Sequence, residues 1–326
     1  MLAEYKYRVQ YTEAESKIKI NPQRLIFKVL KFIISLMLDS NSRLQGPIKL
    51  NVSDKQPLVW GYRTYVMGII NVSPDSFSGD GFDSDIDGVI KQGLTFQSEG
   101  ADILDIGAQS TRPGHLEITP RAELDRLIPA LDALANKVDI PISVDTYKPE
   151  VAKAALESGA SIINDIWGLK HDPNIAQIAA EHEVPIILMH NQSTTDYNDL
   201  IANILESLNH SIELALQSGV SKTNIIIDPG IGFGKTPDQN LEIIKRLNEF
   251  STLGVPILIG TSRKSTIGYI LDTPPNERLE GTASTIALSI AAGVDIIRVH
   301  DVREMVRVSR MTDAIIRGWR PQDWRK

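Results

Sequence analysis

The chain has 326 residues, enough for one large domain or two ordinary ones, and 42% of them are hydrophobic, as in ordinary globular proteins. Its 41 acidic and 34 basic residues give a formal net charge of −7, so no basic excess indicates a general nucleic-acid binder. It contains no cysteine, which excludes disulfides, thiolate zinc sites, iron–sulfur clusters and a cysteine nucleophile.

Residues 1–60 differ from the rest of the chain. The apolar run LIFKVLKFIISLML at residues 25–38 includes two lysines and is shorter than the roughly 20 residues that a membrane span needs. It starts late for a signal peptide, and no small-residue cleavage site follows it. We interpret residues 1–60 as an N-terminal extension of unknown role, either packed on the surface or partly disordered, with a membrane-surface helix as the alternative.

Residues 61–326 contain eight short apolar, β-branched runs bounded by turn residues. Continuous runs of this kind are typical of buried parallel strands. The runs are YVMGII at 65–70, DILDIG at 102–107, PISVDT at 141–146, SIINDI at 161–166, VPIILMH at 184–190, NIIIDPG at 224–230, VPILIGT at 255–261 and DIIRVH at 295–300.

The segments between these runs have apolar residues at helical spacing, as in KPEVAKAALESG and NLEIIKRLNEF. The first has Pro149 near its start and Gly159 just past its end, the usual asymmetry of helix termini. Eight βα units in about 260 residues predict an α/β fold, a single (β/α)8 TIM barrel. A doubly wound open sheet is the alternative.

Every predicted strand ends in a polar or ionisable group. In such barrels these ends form one mouth, where the active site lies. Turn and cap preferences explain many aspartates and asparagines, but not Lys264, Arg298 and His300. We therefore predict a mouth that binds a ligand with a hydrogen-bond-donating ring and an anionic group. The strand-end residues are Asn71, Asp105, Asp145, Asn164, Asp165, His190, Asp228, Ser262, Arg263, Lys264, Arg298 and His300.

Two long polar loops follow the first two predicted strands, at residues 70–85 and 107–120. Long loops on a rigid barrel are where substrate-closing elements are expected, although surface loops without a function are the alternative.

Seven blocks, in order along the chain, resemble the dihydropteroate synthase family of folate biosynthesis. They are MGIINVSPDSFS, GADILDIGAQSTRPG, PISVDTYKPEVAKAAL, GASIINDI, IIIDPGIGFGKT, GTSRKS and IRVHDV, and the resemblance runs from about residue 64 to about residue 318. The chain has Ala108 and Gln109 where the family usually has Gly-Glu or Gly-Gln.

The resemblance implies condensation of 6-hydroxymethyl-7,8-dihydropterin pyrophosphate with 4-aminobenzoate. In the family, pyrophosphate leaves first and the arylamine then attacks a resonance-stabilised cation. The resemblance further implies Mg²⁺, a homodimer, a cytoplasmic location, and an arylamine pocket that pyrophosphate orders and sulfonamides occupy. We expect small-molecule substrates, no nucleic-acid partner and no integral membrane span.

The resemblance also implies a role for individual residues. It places Asp105, Asp145 and Lys264 in the chemical step, with the buried Asp145 anion next to the cation. The pterin residues are Asp145, Asn164, Met189, Asp228 and Lys264, the pyrophosphate residues are Asn71, Arg112, Arg298 and His300, and the aminobenzoate residues are Thr111, Pro113, Phe233 and Ser265. Asn71 is also the implied metal ligand.

Two further motifs are ambiguous. GIGFGKT looks like a phosphate-binding loop, but the required first glycine is Pro229, so we interpret its glycines as points of close backbone approach. His190 is either functional or a hydrogen-bonded histidine at the mouth. Two other functions are alternatives: a methyltetrahydrofolate-dependent methyltransferase, and a non-catalytic relative. GTSRK at 260–264 and STRP at 110–113 argue against the methyltransferase, which needs no cations for pyrophosphate.

Overall fold

A computed structural model describes residues 49–50, 52, 57–72, 86–109 and 117–324. Within them, two short strands form an antiparallel hairpin and eight parallel strands form one sheet. The hairpin strands are β1 (Lys49–Leu50) and β2 (Leu58–Val59). The parallel strands are β3 (Tyr65–Asn71), β4 (Ile103–Gly107), β5 (Ile142–Asp145), β6 (Ile162–Asp165), β7 (Ile186–Met189), β8 (Ile225–Asp228), β9 (Leu258–Ile259) and β10 (Ile296–Val299).

Helices alternate with the parallel strands along the described chain. They are α1 (Ile86–Glu99), α2 (Pro120–Ala135), α3 (Pro149–Glu157), α4 (Asn174–Glu181), α5 (Leu200–Gln217), α6 (Pro237–Lys245), α7 (Ser265–Leu271), α8 (Leu279–Ala291) and α9 (Val302–Ile316). The predicted helix KPEVAKAALESG is α3, and Gly159 follows it with φ of +103°. NLEIIKRLNEF is not one continuous helix, because α6 ends at Lys245 and a 3-10 helix spans Leu247–Leu253.

The parallel sheet closes into a barrel. Its strand order is β8-β7-β6-β5-β4-β3-β10-β9, so the first strand of the ring pairs with the last one in sequence. A single bridge between Ile227 and Ile257 joins the two outer members, β8 and the segment before β9. Seven of the eight predicted runs contain one of these strands, and β3 extends one residue beyond the first run, to Asn71. The TIM barrel is confirmed, and the open doubly wound sheet is not what the chain forms.

The inside of the barrel is apolar at its N-terminal end. A buried cluster contains residues from seven of the eight strands, for example Met67, Ile103 and Ile296, and it includes Leu50 and Leu58 of the hairpin. The hairpin belongs to the same compact unit as the barrel. The predicted boundary between residues 60 and 61 therefore lies between the hairpin and the barrel, although the hairpin packs into the barrel core.

The apolar run at residues 25–38 lies outside the described residues, as does most of the segment interpreted as an extension. Among the helices of the described part, none combines the length and the apolar character that crossing a bilayer requires.

Candidate active site

The carboxyl ends of the strands bring most of the predicted site residues to one end of the barrel. Asp105, Asp145, Asn164, Met189, Asp228 and Arg298 lie within strands β4, β5, β6, β7, β8 and β10, and His300 follows β10 directly. All except Arg298 and His300 are buried, since parallel strands of a closed barrel are covered on both faces.

Arg298 joins two of the carboxylates. Its Nε donates to Asp105 Oδ2 at 2.5 Å, and its Nη2 donates to Asp145 Oδ2 at 2.6 Å. Asp105 has no exposed surface, and the exposed fraction of Asp145 is 5%. Two carboxylates at this depth need a cation, because an isolated buried charge is very costly. The guanidinium is therefore held between them, an arrangement that the sequence analysis did not predict.

Asp145 retains an unused acceptor. Its Oδ1 is buried and accepts no hydrogen bond from any residue that the structure describes. Burial raises the pKa of Asp145 to about 7, with repulsion from Asp105 adding to the rise and attraction to Arg298 opposing it. A buried oxygen of this kind requires a donor, and a ligand with an N–H group would supply one.

Asn164 and Asp228 extend the row of acceptors. Asn164 donates its amide to both oxygens of Asp105, at 3.2 and 3.4 Å, which turns its Oδ1 away from that carboxylate. Asp228 accepts from the backbone N–H of Gly230 at 2.7 Å. Burial raises the pKa of Asp228 to about 6, while that hydrogen bond and the charges of Lys264 and Lys235 oppose the rise.

Lys264 and Phe233 face each other across this end of the barrel. The Lys264 ammonium lies 4.3 Å from the centre of the Phe233 ring, a cation–π contact. Phe233 packs against a small apolar cluster that contains Met189, Tyr147 and Ile166, with Trp167 alongside. The cluster provides an apolar wall next to the carboxylates, where a flat ring could lie.

His300 is neutral in the protein as it stands. Its Nδ1 lies 3.0 Å from Ser262 Oγ, and burial together with the charges of Arg298 and Arg263 lowers its pKa to about 4. Arg263, another strand-end residue, instead pairs with the Asp301 carboxylate through Nε at 2.9 Å and through Nη2. It is therefore committed to a structural ion pair.

Other predicted residues lie at the edge or outside the described chain. Asn71 ends β3 with an exposed side chain, and Ser265, the first residue of α7, is also exposed. Thr111, Arg112 and Pro113 lie outside the described residues. Asp165 uses both carboxylate oxygens to accept from the backbone N–H groups of Trp167 and Leu169, so it holds a turn.

Two buried lysines were missed by the sequence analysis. Lys148 donates to Glu123 Oε2, Gln109 Oε1 and the Ile118 carbonyl at 2.6 to 2.7 Å, next to the loop after β4. Lys235, in GIGFGKT, lies 3.0 Å from Nδ1 of His190, so that histidine has a hydrogen-bond partner at the mouth. Rejecting the phosphate-loop motif removed the one signal that pointed to Lys235.

Known proteins are similar to this chain over most of its length. Residues 67–300 match the model of the pterin binding enzyme family. The chain is 50% identical to dihydropteroate synthase of Bacillus subtilis over 254 residues, which cover 78% of this chain and 89% of the relative.

Two solved structures share the fold. A Clostridium difficile dihydropteroate synthase, determined in the presence of pteroic acid, has a TM-score of 0.78 at 49% identity and covers 79% of this chain and 98% of its own. A Xanthomonas albilineans dihydropteroate synthase in complex with 7,8-dihydropteroate has a TM-score of 0.75 at 36% identity, covering 82% and 98%.

Proposed function

Since the chain belongs to the pterin-binding enzyme family as a dihydropteroate synthase, we propose that its barrel mouth divides into a pterin pocket, a pyrophosphate site and an arylamine wall. The chain is an enzyme that condenses 6-hydroxymethyl-7,8-dihydropterin pyrophosphate with 4-aminobenzoate to give 7,8-dihydropteroate and pyrophosphate. The observation that carries the division of roles is the Arg298 bridge between Asp105 and Asp145.

The pterin pocket consists of the acceptors that converge at the ends of β5, β6 and β8. A pterin ring offers an amino group and a ring N–H as donors, and carboxylates are strong acceptors for them. Asp145 Oδ1, Asn164 Oδ1 and the Asp228 carboxylate supply that set. Lys264 donates to the pterin carbonyl oxygen, and Met189 packs against the ring.

The reaction proceeds in two steps. The bond between the pterin methylene carbon and the pyrophosphate oxygen breaks, and its electron pair leaves with pyrophosphate. The resulting cation is conjugated with the pterin ring, and the Asp145 anion stabilises it electrostatically. The amino nitrogen of 4-aminobenzoate then forms a bond to that carbon and transfers one of its protons to water. Asp105 holds Arg298 and Asn164 in place for both steps.

Arg298 and His300 bind the pyrophosphate, together with Arg112 from the loop after β4. Arg298 carries a full charge, whereas His300 acts first as a neutral hydrogen-bond donor. An approaching pyrophosphate favours the charged imidazolium, so it raises the pKa of His300 towards neutrality and strengthens its own binding. Both residues thereby stabilise the negative charge that develops on the leaving pyrophosphate.

The arylamine wall consists of Phe233 with Thr111, Pro113 and Ser265. The Phe233 ring is partly buried against the apolar cluster around Met189, and the rest of its surface remains accessible. Flat aromatic rings pack favourably against such a surface. Sulfonamides share the shape and the amine of 4-aminobenzoate and occupy the same wall.

Mg²⁺ fits the donor set at this end of the barrel. No group of three or more acidic or histidine side chains among the described residues could hold a metal ion. Mg²⁺ commonly binds through one protein oxygen, substrate phosphates and water, and the exposed amide of Asn71 provides such an oxygen. When bound, the ion would neutralise charge on the departing pyrophosphate.

The two alternative functions have less support. A methyltransferase would share the pterin acceptors, but it gives no reason for Lys264, Arg298 and His300 to converge. A non-catalytic relative is not supported by the described site, which retains the charged groups. We place the enzyme in the cytoplasm, since a chain without cysteine is compatible with a reducing compartment.

We also propose that the enzyme is a homodimer through the outer face of α7, α8 and α9. These neighbouring helices expose large apolar side chains, including Tyr269, Leu288, Met311 and Ile315. Exposed apolar patches of this kind mark interaction surfaces.

The pterin and pyrophosphate roles can be separated by two variants. Asp228→Asn replaces an acceptor by a partial donor, so it should abolish binding of a plain pterin in calorimetry. Arg298→Ala should weaken plain pterin binding less but sharply lower kcat in an assay of aminobenzoate-dependent pyrophosphate release. Loss of one charged hydrogen bond in a dry site costs about 2–4 kcal/mol, roughly 30- to 1,000-fold. Normal turnover of Arg298→Ala, together with tight pterin binding by Asp228→Asn, would contradict both roles.

Metal dependence is tested by chelation. Turnover should cease in excess chelator. It should return with added Mg²⁺, because the ion neutralises charge on the pyrophosphate. Asn71→Ala should raise the Mg²⁺ concentration needed for half-maximal rate, whereas Asn136→Ala, at the exposed end of α2, should not. Full activity in chelator would rule out the metal.

Sulfonamides should inhibit the enzyme competitively with 4-aminobenzoate, because both use the same wall. Binding of either compound to the free enzyme should be weak in calorimetry and should strengthen when pyrophosphate is present. Equal affinity with and without pyrophosphate would contradict an arylamine site that pyrophosphate orders.

Sedimentation equilibrium tests the dimer. The wild-type mass should be twice that of one chain, and Met311→Asp should shift it towards the monomer, since a buried unpaired charge is unfavourable. Leu216→Asp, at an exposed position on α5, is the matched control and should remain dimeric. A monomeric wild-type enzyme would disprove the proposal.

A further inference from the structure

The turn after β8 lies against the segment after β7 with almost no space between them. Gly230 has φ of +75°, and a Cβ there would lie 1.9 Å from the His190 carbonyl oxygen. Gly234 has φ of +57°, and a Cβ there would lie 2.3 Å from the Gln192 carbonyl oxygen. Only glycine fits at both positions, so the two backbones meet directly. Tyr197 adds a hydrogen bond from its hydroxyl to the Gly234 carbonyl at 2.9 Å.

The buried side chain of Lys235 connects this turn to His190, the residue that follows β7. The Lys235 Nζ lies 3.0 Å from His190 Nδ1 and donates to the Phe233 carbonyl at 2.9 Å. Only 9% of Lys235 is exposed. Burial, first, and the nearby Lys235 and Lys170 charges lower the pKa of His190 to about 2, which favours the neutral imidazole. In the tautomer with its proton on Nε2, Nδ1 accepts a hydrogen bond from Lys235. Burial lowers the pKa of Lys235 to about 7, but even a neutral amine has two N–H groups, one for each partner.

The turn that Lys235 holds carries two contacts of the mouth. The backbone carbonyl of Phe233 accepts a hydrogen bond from Lys235, and the ring of the same residue lies beneath the Lys264 ammonium. The preceding residue, Gly232, packs against the Lys264 stem, since a Cβ there would lie 3.2 Å from Lys264 Cδ. A shift of the turn would therefore move the Phe233 ring and remove the support behind Lys264.

We infer that Lys235 is a positioning residue for the second substrate: by joining His190 to the Phe233 carbonyl, it fixes the ring against which 4-aminobenzoate packs. The inference rests on the proposed function, because it takes Phe233 as part of the arylamine wall. The hydrogen-bond partners of Lys235 are His190 and the Phe233 carbonyl, both within the protein. Displacements of about 1 Å in a site can lower the rate 100-fold, so such a residue can matter without contact.

The test compares Michaelis constants for the two substrates. Lys235→Met keeps an unbranched side chain, one atom shorter, and removes both hydrogen bonds. We expect its KM for 4-aminobenzoate to rise about tenfold, with smaller changes in kcat and in the KM for the pterin pyrophosphate, to which the loss of the Lys235 charge near Asp228 contributes. Lys235→Gln, which keeps a donor, should give an intermediate KM. Lys245→Met, the same change at an exposed position on α6, should have no effect.

A purely stabilising role gives a different pattern. Lys235→Met leaves His190 without a partner, so it should lower Tm, and the double variant His190→Leu/Lys235→Met should recover much of that loss. The double variant should still have the raised KM, because the Phe233 carbonyl remains unheld. If its KM returns to normal together with its Tm, or if Lys235→Met has a normal KM, the inference is wrong.

Phe233→Ala separates this inference from the function on which it rests. A raised KM for 4-aminobenzoate in Phe233→Ala with a normal KM in Lys235→Met would overturn the role of Lys235 alone. A normal KM in Phe233→Ala would overturn the arylamine wall and with it the inference, while leaving the pterin pocket untouched.

Discussion

The ion pairs of the Arg298 guanidinium with Asp105 and Asp145 are the interactions on which the rest of the site depends. The guanidinium joins the ends of β10, β4 and β5, and through Asp105 it also reaches Asn164 on β6. Taking three charges out of water is costly, and a hydrophobic replacement of such a cluster is often as stable. The cluster therefore contributes little to stability that apolar packing could not, and its value lies in holding a carboxylate ready at the mouth.

Burial shifts several ionisable side chains at the mouth towards their uncharged forms. Burial raises the pKa of Asp145 and Asp228 towards neutrality, and it lowers the pKa of His300 and Lys235 well below their ordinary values. Each group is thus shifted towards its uncharged form. In the proposed function, a ligand with ring donors on one side and a pyrophosphate on the other would favour the charged form of the acids and of His300 together, so that binding and charging would be coupled.

The sequence predicted the ring of strands and the polar residues at their ends, because both depend on local patterns. It could not predict the Arg298 bridge, since Arg298 lies 193 and 153 residues from its two partners and only the closed barrel brings them together. Arg263 and Asp165 fit the same strand-end pattern, yet each bonds a structural partner nearby. The hairpin of β1 and β2 was assigned to the extension because four strand residues are too few to produce a readable period.

Two buried ion clusters near the mouth differ in whether all of their hydrogen-bonding groups have partners. Lys148 has three protons, and Glu123, Gln109 and the Ile118 carbonyl accept all three, so this cluster needs nothing from outside the protein. Asp145, only three residues earlier in the same SVDTYK segment, keeps Oδ1 without a donor among the described residues. A buried acceptor without a partner is unfavourable, and at the barrel mouth a ligand with an N–H group would complete it. Of these two neighbouring groups, we therefore place the unsatisfied Asp145 in the proposed pterin pocket, whereas Lys148 joins Gln109 to Ile118 within the protein.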